Sequence, residues 1–495
     1  MKVFTRSRRA VDAQRGGREL LLINHPLDCP ICDQGGECEL QDLAMGYGRS
    51  VSRFTERKRV VKDKNVGPLI QTDMTRCIHC TRCVRFLDEI AGTNEMGGTG
   101  RADYLEITTG VERGIVSELS GNIIDLCPVG ALTNKPFRYS ARAWEMIARP
   151  AIAAHDGLGS TLHYHVRQGR IMRAVPRENE AVNETWLADR DRYSHFGLYA
   201  ADRVLVPMVK RDGEWQQADW DTAIEAAAGA LKGAVEAGGG DALGVLMSPS
   251  ATDEDYFLAQ RLARGLGSHN IDHRLRETDF RDDQANPGAG FEMPLDAMAE
   301  ADAVLLVGCH ARNEAPILGH RVRQAQRAGA TVGAINPFDW NLHFHVQHPQ
   351  FVPPQQMVGA LAAVLAATDD GLPDALSALA DKEADADAAK ALAKMLGEAK
   401  RGVIVVGQAA ASHAEAAALR QLARALAKTT GAALNVLPHG GNPAGAWRCG
   451  AVPHRGPGGA AVDQPGRNVA AMLAEPRKVY LLWGFEHDFD TADPA

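Results

Sequence analysis

Histidine and cysteine spacing is the chemical signature of this chain. Nine cysteines occur in 495 residues, and seven of them lie at or before position 127. The first group is His25-Pro-Leu-Asp-Cys29-Pro-Ile-Cys32-Asp-Gln-Gly-Gly-Glu-Cys38, an H-x3-C-x2-C-x5-C pattern. One imidazole and three thiols inside so short a loop can hold a metal. A tetrahedral zinc site is one reading. An iron–sulfur cubane is the preferred one, since zinc ribbons use two separate C-x2-C knuckles. A neutral imidazole in place of a thiolate would leave the cluster one negative charge lighter and easier to reduce. The second group is Cys77-Ile-His-Cys80-Thr-Arg-Cys83, completed by the remote Cys127-Pro128. C-x2-C-x2-C with a distant Cys-Pro is a usual grip on a [4Fe–4S] cluster. His79 then reads as a polar neighbour, because four thiols already complete the set. Asp28 and Asp33 flank ligands and read as caps of helix or loop.

Two cubanes on adjacent small modules pass single electrons and need no substrate pocket. No nucleophile–base pair or paired-carboxylate site accompanies them. The elements that must position these donors are short: a helix over 11–22, a loop over 25–38, and a helix over 38–44 ending at Gly46. The second region carries a helix over 84–90, a Gly-rich loop over 92–100, and strands near 104–108 and 114–118. Short alternating runs over 151–176 indicate a small β-rich domain. From Trp220 onward, apolar runs near 242–247, 304–307, 332–335, 403–406, 434–437 and 479–483 alternate with helical stretches. That pattern predicts a parallel sheet covered on both faces. Residues 383–393 read as a solvated, charged helix. The last strand is followed by twelve residues, which reads as a truncated α/β unit.

Composition narrows the partners. Acidic residues number 62 against 54 basic ones, giving a net charge of −8, so general nucleic-acid binding is disfavoured. No apolar run reaches the roughly 18 residues of a membrane span. The basic, polar start has no apolar core of a signal peptide, so the expectation is a soluble, intracellular chain. Cys309 reads as a small buried thiol and Cys449 as a loop residue without a partner. No G-x-G-x-x-G or P-loop follows the strands. Pro438–Pro443 reads as a bare turn.

The strings INHPLDCPICDQGGECELQD, TRCIHCTRCVRF and DLCPVGALTNKPFRYSARAWE resemble the large iron–sulfur subunit family of respiratory complex I, found in bacterial NADH-quinone oxidoreductase and, as the 75 kDa subunit, in mitochondria. The resemblance implies four domains: a [4Fe–4S] module over 1–60, an all-cysteine ferredoxin-like [4Fe–4S] module over 61–145, a β-rich connecting domain over 146–207, and a molybdopterin-oxidoreductase-like α/β domain over 208–495. It implies His25, Cys29, Cys32 and Cys38 as ligands of one cluster, and Cys77, Cys80, Cys83 and Cys127 as ligands of the other. The implied role is electron relay from an NADH/flavin subunit towards quinone, coupled elsewhere in the complex to proton translocation. The implied partners are the flavin/NADH-binding subunit and the iron–sulfur subunits leading to quinone, at the cytoplasmic side of the bacterial inner membrane, with no direct span.

Three departures stand out. The plant-type C-x4-C-x2-C of the family's [2Fe–2S] domain does not occur, so that centre is expected only in a missing N-terminal domain. No cysteine lies between Cys127 and Cys309, which leaves no four-cysteine cluster in the connecting domain. No molybdopterin is expected. The competing readings are a catalytic molybdopterin oxidoreductase such as a formate dehydrogenase, a hydrogenase-type subunit, and a structural zinc protein.

Overall fold

A computed structural model describes residues 2–110, 113–286, 288–380 and 384–490. The chain divides into two compact units. The first comprises residues up to Ile152 together with Ser160–His195; the second comprises Ala153–Gly159 and the remainder from Phe196.

The first unit is built from short elements. Helix α1 (Arg8–Leu22) starts at Ser7, whose hydroxyl accepts from the Ala10 N–H. Helix α2 (Glu39–Tyr47) begins directly after Cys38 and runs through Gly46 to a cap at Gly48, beyond the expected stop. Strand β1 (Ile70–Thr72) leads into a tight turn over Met74–Arg76, and α3 (Arg82–Arg85) continues as a wider π-turn over Phe86–Ala91. Strands β2 (Met96–Thr99) and β3 (Glu106–Thr109) pair antiparallel. The Gly-rich segment is therefore partly strand.

The strand expected over 114–118 does not form, because its amide donors are taken elsewhere. Ile115 N–H goes to the Val66 carbonyl at 2.9 Å, and Val116 and Ser117 donate to the Glu95 carboxylate at 2.8 and 3.3 Å. Helix α4 (Asn122–Leu126) ends at Cys127, and β4 (Leu132–Asn134) pairs antiparallel with β1. A meander of β5 (Ile147–Ile152), β6 (Thr161–Arg167) and β7 (Arg170–Pro176) follows, then α5 (Asp189–Tyr193). Leu87, Ile123, Leu132, Leu162 and Leu187 are almost fully buried, so the second cysteine region and the meander both supply interior residues.

The second unit opens with a hairpin of β8 (Met208–Arg211) and β9 (Glu214–Gln217), then α6 (Trp220–Gly238) capped by Asp219. Its parallel strands separate into two sheets where one was expected. One has order β11–β10–β18, with β10 at Leu243–Met247, β11 at Ile271–Asp272 and β18 at Val479–Trp483. The other has order β12–β17–β16–β13–β14–β15. Its members are β12 (Gly290–Phe291), β13 (Ala303–Val307), β14 (Thr331–Asn336), β15 (His348–Phe351), β16 (Gly402–Val406) and β17 (Ala433–Val436). Only β12 runs antiparallel to its neighbour. The central strands read AVLLV and GVIVV and are buried along their whole length, as required when helices cover both faces. Pro349 sits in β15 at the sheet edge, where a missing amide donor costs no ladder bond.

Two expectations need correction here. The charged stretch is an amphipathic helix over Ala386–Gly397, whose Ala389, Leu392, Ala393 and Leu396 enter the core beside the helix Met357–Ala366. Apolar residues at helical spacing outweighed the charges; Glu383 lies outside the described residues. Cys449 is the last residue of a helix over Pro443–Cys449, started by Asn442 and ended by left-handed Gly450. Leu305 is fully buried in this core. Leu305→Ala is expected to destabilise the second unit by about 2–5 kcal/mol, read from its denaturant transition, with the first unit's transition unmoved.

Candidate metal centre

The loop from His25 to Cys38 is held by hydrogen bonds from its own backbone and from chain far away. Cys32 N–H donates to the Asp28 carbonyl at 2.8 Å, and Gly35 N–H to the Cys32 carbonyl at 2.9 Å. Arg142 donates to the carbonyls of Cys32 and Pro30. Gly36 has φ of +95°, and a Cβ there would collide with the Trp144 ring, so a side chain is excluded twice over. The loop thus closes under the segment 142–144. Cys38 is the cap of α2, and its sulfur accepts the Gln41 N–H at 3.4 Å. Its sulfur thus sits at a helix start, where the aligned backbone amides favour negative charge.

Of the first four donors, Cys29 is exposed while Cys32 and Cys38 are buried. Burial pushes both buried thiols up, and the neighbouring thiols add to the effect: Cys29 on Cys32, and Cys32 and Cys29 on Cys38. Burial also lowers the pKa of His25. The Arg76 backbone lies beside its ring, and its buried Nδ1 has no hydrogen-bond partner. A buried ring nitrogen without a protein partner is one that a metal could take.

The second set is wound tighter. His79 and Thr81 take left-handed φ values of 55° and 59°, flanking Cys80. Each costs of order 1–3 kcal/mol and persists only where surroundings over-determine it. Together they turn the chain so that Cys77, Cys80 and Cys83 lie close in space. Cys83 is pushed up to about 12, first by burial and then by Cys127, Cys77 and Cys80. Cys127 rises to about 11, again by burial first, with Cys77 and Cys80 adding. Each of the four thiols lies within electrostatic reach of the others. Iron would reverse this protonation, because a bound cation deprotonates a coordinating thiol. The His79 ring is 3.0 Å from Arg59, so it is engaged beside the set. Among the described residues, no three His, Cys, Asp or Glu side chains converge on the point one metal ion would occupy.

Cys127 is placed from downstream. Asp189 accepts from the Ser120 amide and hydroxyl at 3.1 and 2.6 Å and from the Gly121 amide at 2.7 Å, at the start of α4. Buried Arg192 pairs with Asp125, and Asn122 exchanges hydrogen bonds with Leu187. The residues after Cys127 then run against the first set. Cys38 donates to the Pro128 carbonyl at 3.6 Å, and a Cβ on Gly130 would overlap the Cys32 sulfur.

Several residues here escaped the sequence reading. Arg76, beside Cys77, is buried and binds Asp28 at 3.0 Å and Asp73 at 3.1 Å. Its adjacency to a ligand was visible; its partner some fifty positions earlier was not. Asp28 and Asp33 were expected as local caps, but both act at long range. Asp28 binds Arg76, and Asp33 accepts the Tyr139 amide at 3.0 Å. Cys309 is fully buried, its amide held by Asn336 at 3.0 Å, as expected of a packed thiol.

The second unit has a cleft at the carboxyl ends of β16 and β17, where open α/β sheets take ligands. Pro438 and His439 line it, so that turn is one wall of a cavity of about 40 Å³. Arg274 and Arg420 also line it, and both are committed. Arg274 binds Asp272 at 2.9 and 3.0 Å and Asp283 at 2.5 Å; Arg420 binds Asp282 at 2.6 Å. His273 is buried beside them and held at about 4, chiefly by desolvation. That value lies below the ordinary 6.5, so the unfolded chain takes its proton first. The second unit is expected to lose stability as pH falls from about 6.5 to about 4, and His273→Gln should flatten that part of the unfolding-versus-pH curve.

Gly130→Ala is expected to displace Cys32 and destabilise the first unit by roughly 1–3 kcal/mol. Thermal unfolding and the rate of Cys32 alkylation measure it, the first occurring earlier and the second rising.

Comparison with known proteins follows the same division of the chain. Residues 14–53 match the NADH-ubiquinone oxidoreductase-G iron-sulfur binding region, and 67–133 the NADH-quinone oxidoreductase subunit 3 ferredoxin-like domain. Residues 149–195 match the NADH-ubiquinone oxidoreductase NDSU1/NuoG-like 4Fe-4S domain, and 203–492 the molybdopterin oxidoreductase family. The G-type subunit of the NADH-quinone oxidoreductase of Rickettsia felis is 42% identical over 67% of this chain and 48% of its own. The NADH-ubiquinone oxidoreductase 75 kDa subunit of Reclinomonas americana is 41% identical over 69% and 51%. The mitochondrial 78 kDa subunit of Neurospora crassa is 42% identical over 70% and 47%. The chain spans about half the length of these curated relatives. Acetylene hydratase from Pelobacter acetylenicus overlays 56% of this chain and 43% of its own, at a TM-score of 0.43 and 14% identity.

Proposed function

Since the chain belongs to the molybdopterin oxidoreductase family and is a homologue of the large iron–sulfur subunits of NADH-quinone and NADH-ubiquinone oxidoreductases, we propose that it is an electron-transfer subunit of such an enzyme. In this reading His25, Cys29, Cys32 and Cys38 hold one [4Fe–4S] cluster and Cys77, Cys80, Cys83 and Cys127 hold a second. A cluster of this type takes up and releases one electron at a time. The observation that carries the reading is the shared seam: the chain leaving Cys127 lies against the sulfurs of Cys32 and Cys38. The two centres are neighbours, as stepwise electron passage requires.

The protein's own side chains do three things. The free Nδ1 of His25 offers a neutral donor where a thiolate would add charge. Burial of Cys32, Cys38 and Cys127 keeps water from the sulfurs. The left-handed turns at His79 and Thr81 preset the thiol geometry, so little reorganisation accompanies an electron's arrival. The partners are a flavin-bearing, NADH-oxidising subunit on one side and iron–sulfur subunits leading to quinone on the other. Among the described residues no helix is long and apolar enough to cross a membrane, so the location at the cytoplasmic face of a bacterial inner membrane comes through the complex.

Two further groups do not fit the residues present. The segment 149–195 matches a 4Fe-4S domain, yet has no cysteine to bind iron. A pterin would need a pocket of ~300 Å³ or more with free polar groups. The cleft of the second unit offers about 40 Å³, and its two buried arginines, Arg274 and Arg420, are bound to carboxylates. The α/β unit then serves as a scaffold.

Electron paramagnetic resonance of the reduced, anaerobically prepared chain, with iron and sulfide assay, is expected to show two tetranuclear centres. His25→Cys should lower the potential of one centre and leave the other nearly unchanged. Equal shifts in both, or in neither, would remove His25 from the ligand set. Zinc without iron or sulfide would overturn the whole reading.

A further inference from the structure

Arg76 stands where the two ligand sets meet. Its guanidinium is almost completely buried, with 4% of the residue exposed. Nε binds the Asp28 carboxylate at 3.0 Å, next to Cys29 in sequence; Nη1 binds Asp73 at 3.1 Å and the Gly130 carbonyl at 3.3 Å. Gly130 is the residue that packs on the Cys32 sulfur, and a Cβ there would also lie 3.6 Å from Arg76 Cδ. The Arg76 backbone lies beside the His25 ring, and its peptide bond leads directly into Cys77.

A buried cation costs several kcal/mol of desolvation and survives only where anions offset it. Asp28 and Asp73 supply two carboxylates, but Asp73 is also shared with Arg138 at 2.9 Å. Asp28 is 36% exposed on its side chain and so partly screened. The carboxylates hold the guanidinium against the Gly130 segment, and that segment packs on the Cys32 sulfur. An added electron at that site is a negative charge arriving next to a fixed cation at low local dielectric, where attraction is strong.

We propose that Arg76 is a positioning residue that tunes the His25/Cys29/Cys32/Cys38 centre, raising its reduction potential with a buried charge while its backbone ties that centre to Cys77 of the other. The inference rests on the ligand reading given above. The asymmetry is geometric: the side chain turns towards the first set, and only the main chain belongs to the second.

The test is a redox titration of the full, cluster-loaded chain, followed by electron paramagnetic resonance, for the unsubstituted protein and for Arg76→Gln, Arg76→Lys and Asp28→Asn. The centre that responds to His25→Cys is identified as the histidine-bearing one. Arg76→Gln is expected to lower its reduced-to-oxidised ratio at fixed poise on the order of tenfold, with a clearly smaller change at the all-cysteine centre. Arg76→Lys keeps the charge and should restore most of the ratio. Asp28→Asn removes a neighbouring negative charge and should shift the ratio the opposite way. Equal movement of both centres, no movement of either, or a lysine variant no better than glutamine would overturn the proposal. So would loss of the histidine-bearing signal from both Arg76 variants. An unsubstituted chain without iron would defeat the ligand reading first, and this inference with it.

Discussion

The first unit depends on one close approach, that of a bare α-carbon to a sulfur. Where Gly130 meets Cys32, a single methyl group would not fit. This contact joins a loop that begins at His25 to a chain segment that follows Cys127, and it lets Arg76 and Pro128 reach the same seam. Arg76–Asp28 and Cys38–Pro128 join the same two cysteine sets beside it. With these contacts, the two sets share one interior, and thiols that would titrate near their ordinary values are held protonated by burial. Metal and fold are coupled in such sites, because the energy of ligation is also energy of folding.

The second unit rests on a different balance of forces. Its stability comes from apolar strands enclosed on both faces and from Ala-rich helices that pack closely because their side chains are small. Its buried charges answer one another inside the unit: Arg274 with Asp272 and Asp283, Arg420 with Asp282, and Phe280 and Trp447 over the Arg274 guanidinium at 4.5 and 5.6 Å. The two buried arginines that line the cleft are thus bound to carboxylates of the same unit. The fold places a pocket where related sheets bind cofactors, while the side chains commit its polarity to structure.

Much of this was legible in the amino-acid order because the signals are local. Ligand spacing sits within C-x2-C turns, and parallel strands such as 304–307 and 403–406 are continuous apolar runs. What was not legible depended on distance along the chain. The strand near 114–118 was lost to Glu95, a side chain some twenty positions earlier. The helix after residue 383 carries charge on its open face and buries the other, and counting charges hides that periodicity. Arg76 precedes Cys77 and Gly130 follows Cys127-Pro128-Val129, but neither position reveals its distant partner. Their importance arises only when Asp28 and Cys32 arrive beside them. The split of the parallel strands into two sheets is likewise a matter of which strand pairs with which, and periodicity is silent about pairing.

The meander and helix over 147–193 carry no metal donors of the thiol kind, yet they govern when the second grip can close. Asp189 and Arg192 hold the start and body of α4, and that helix delivers Cys127. On a ribosome, Cys77, Cys80 and Cys83 emerge long before these braces are made. The nascent chain therefore carries three thiols without these braces until Asp189 and Arg192 have followed them.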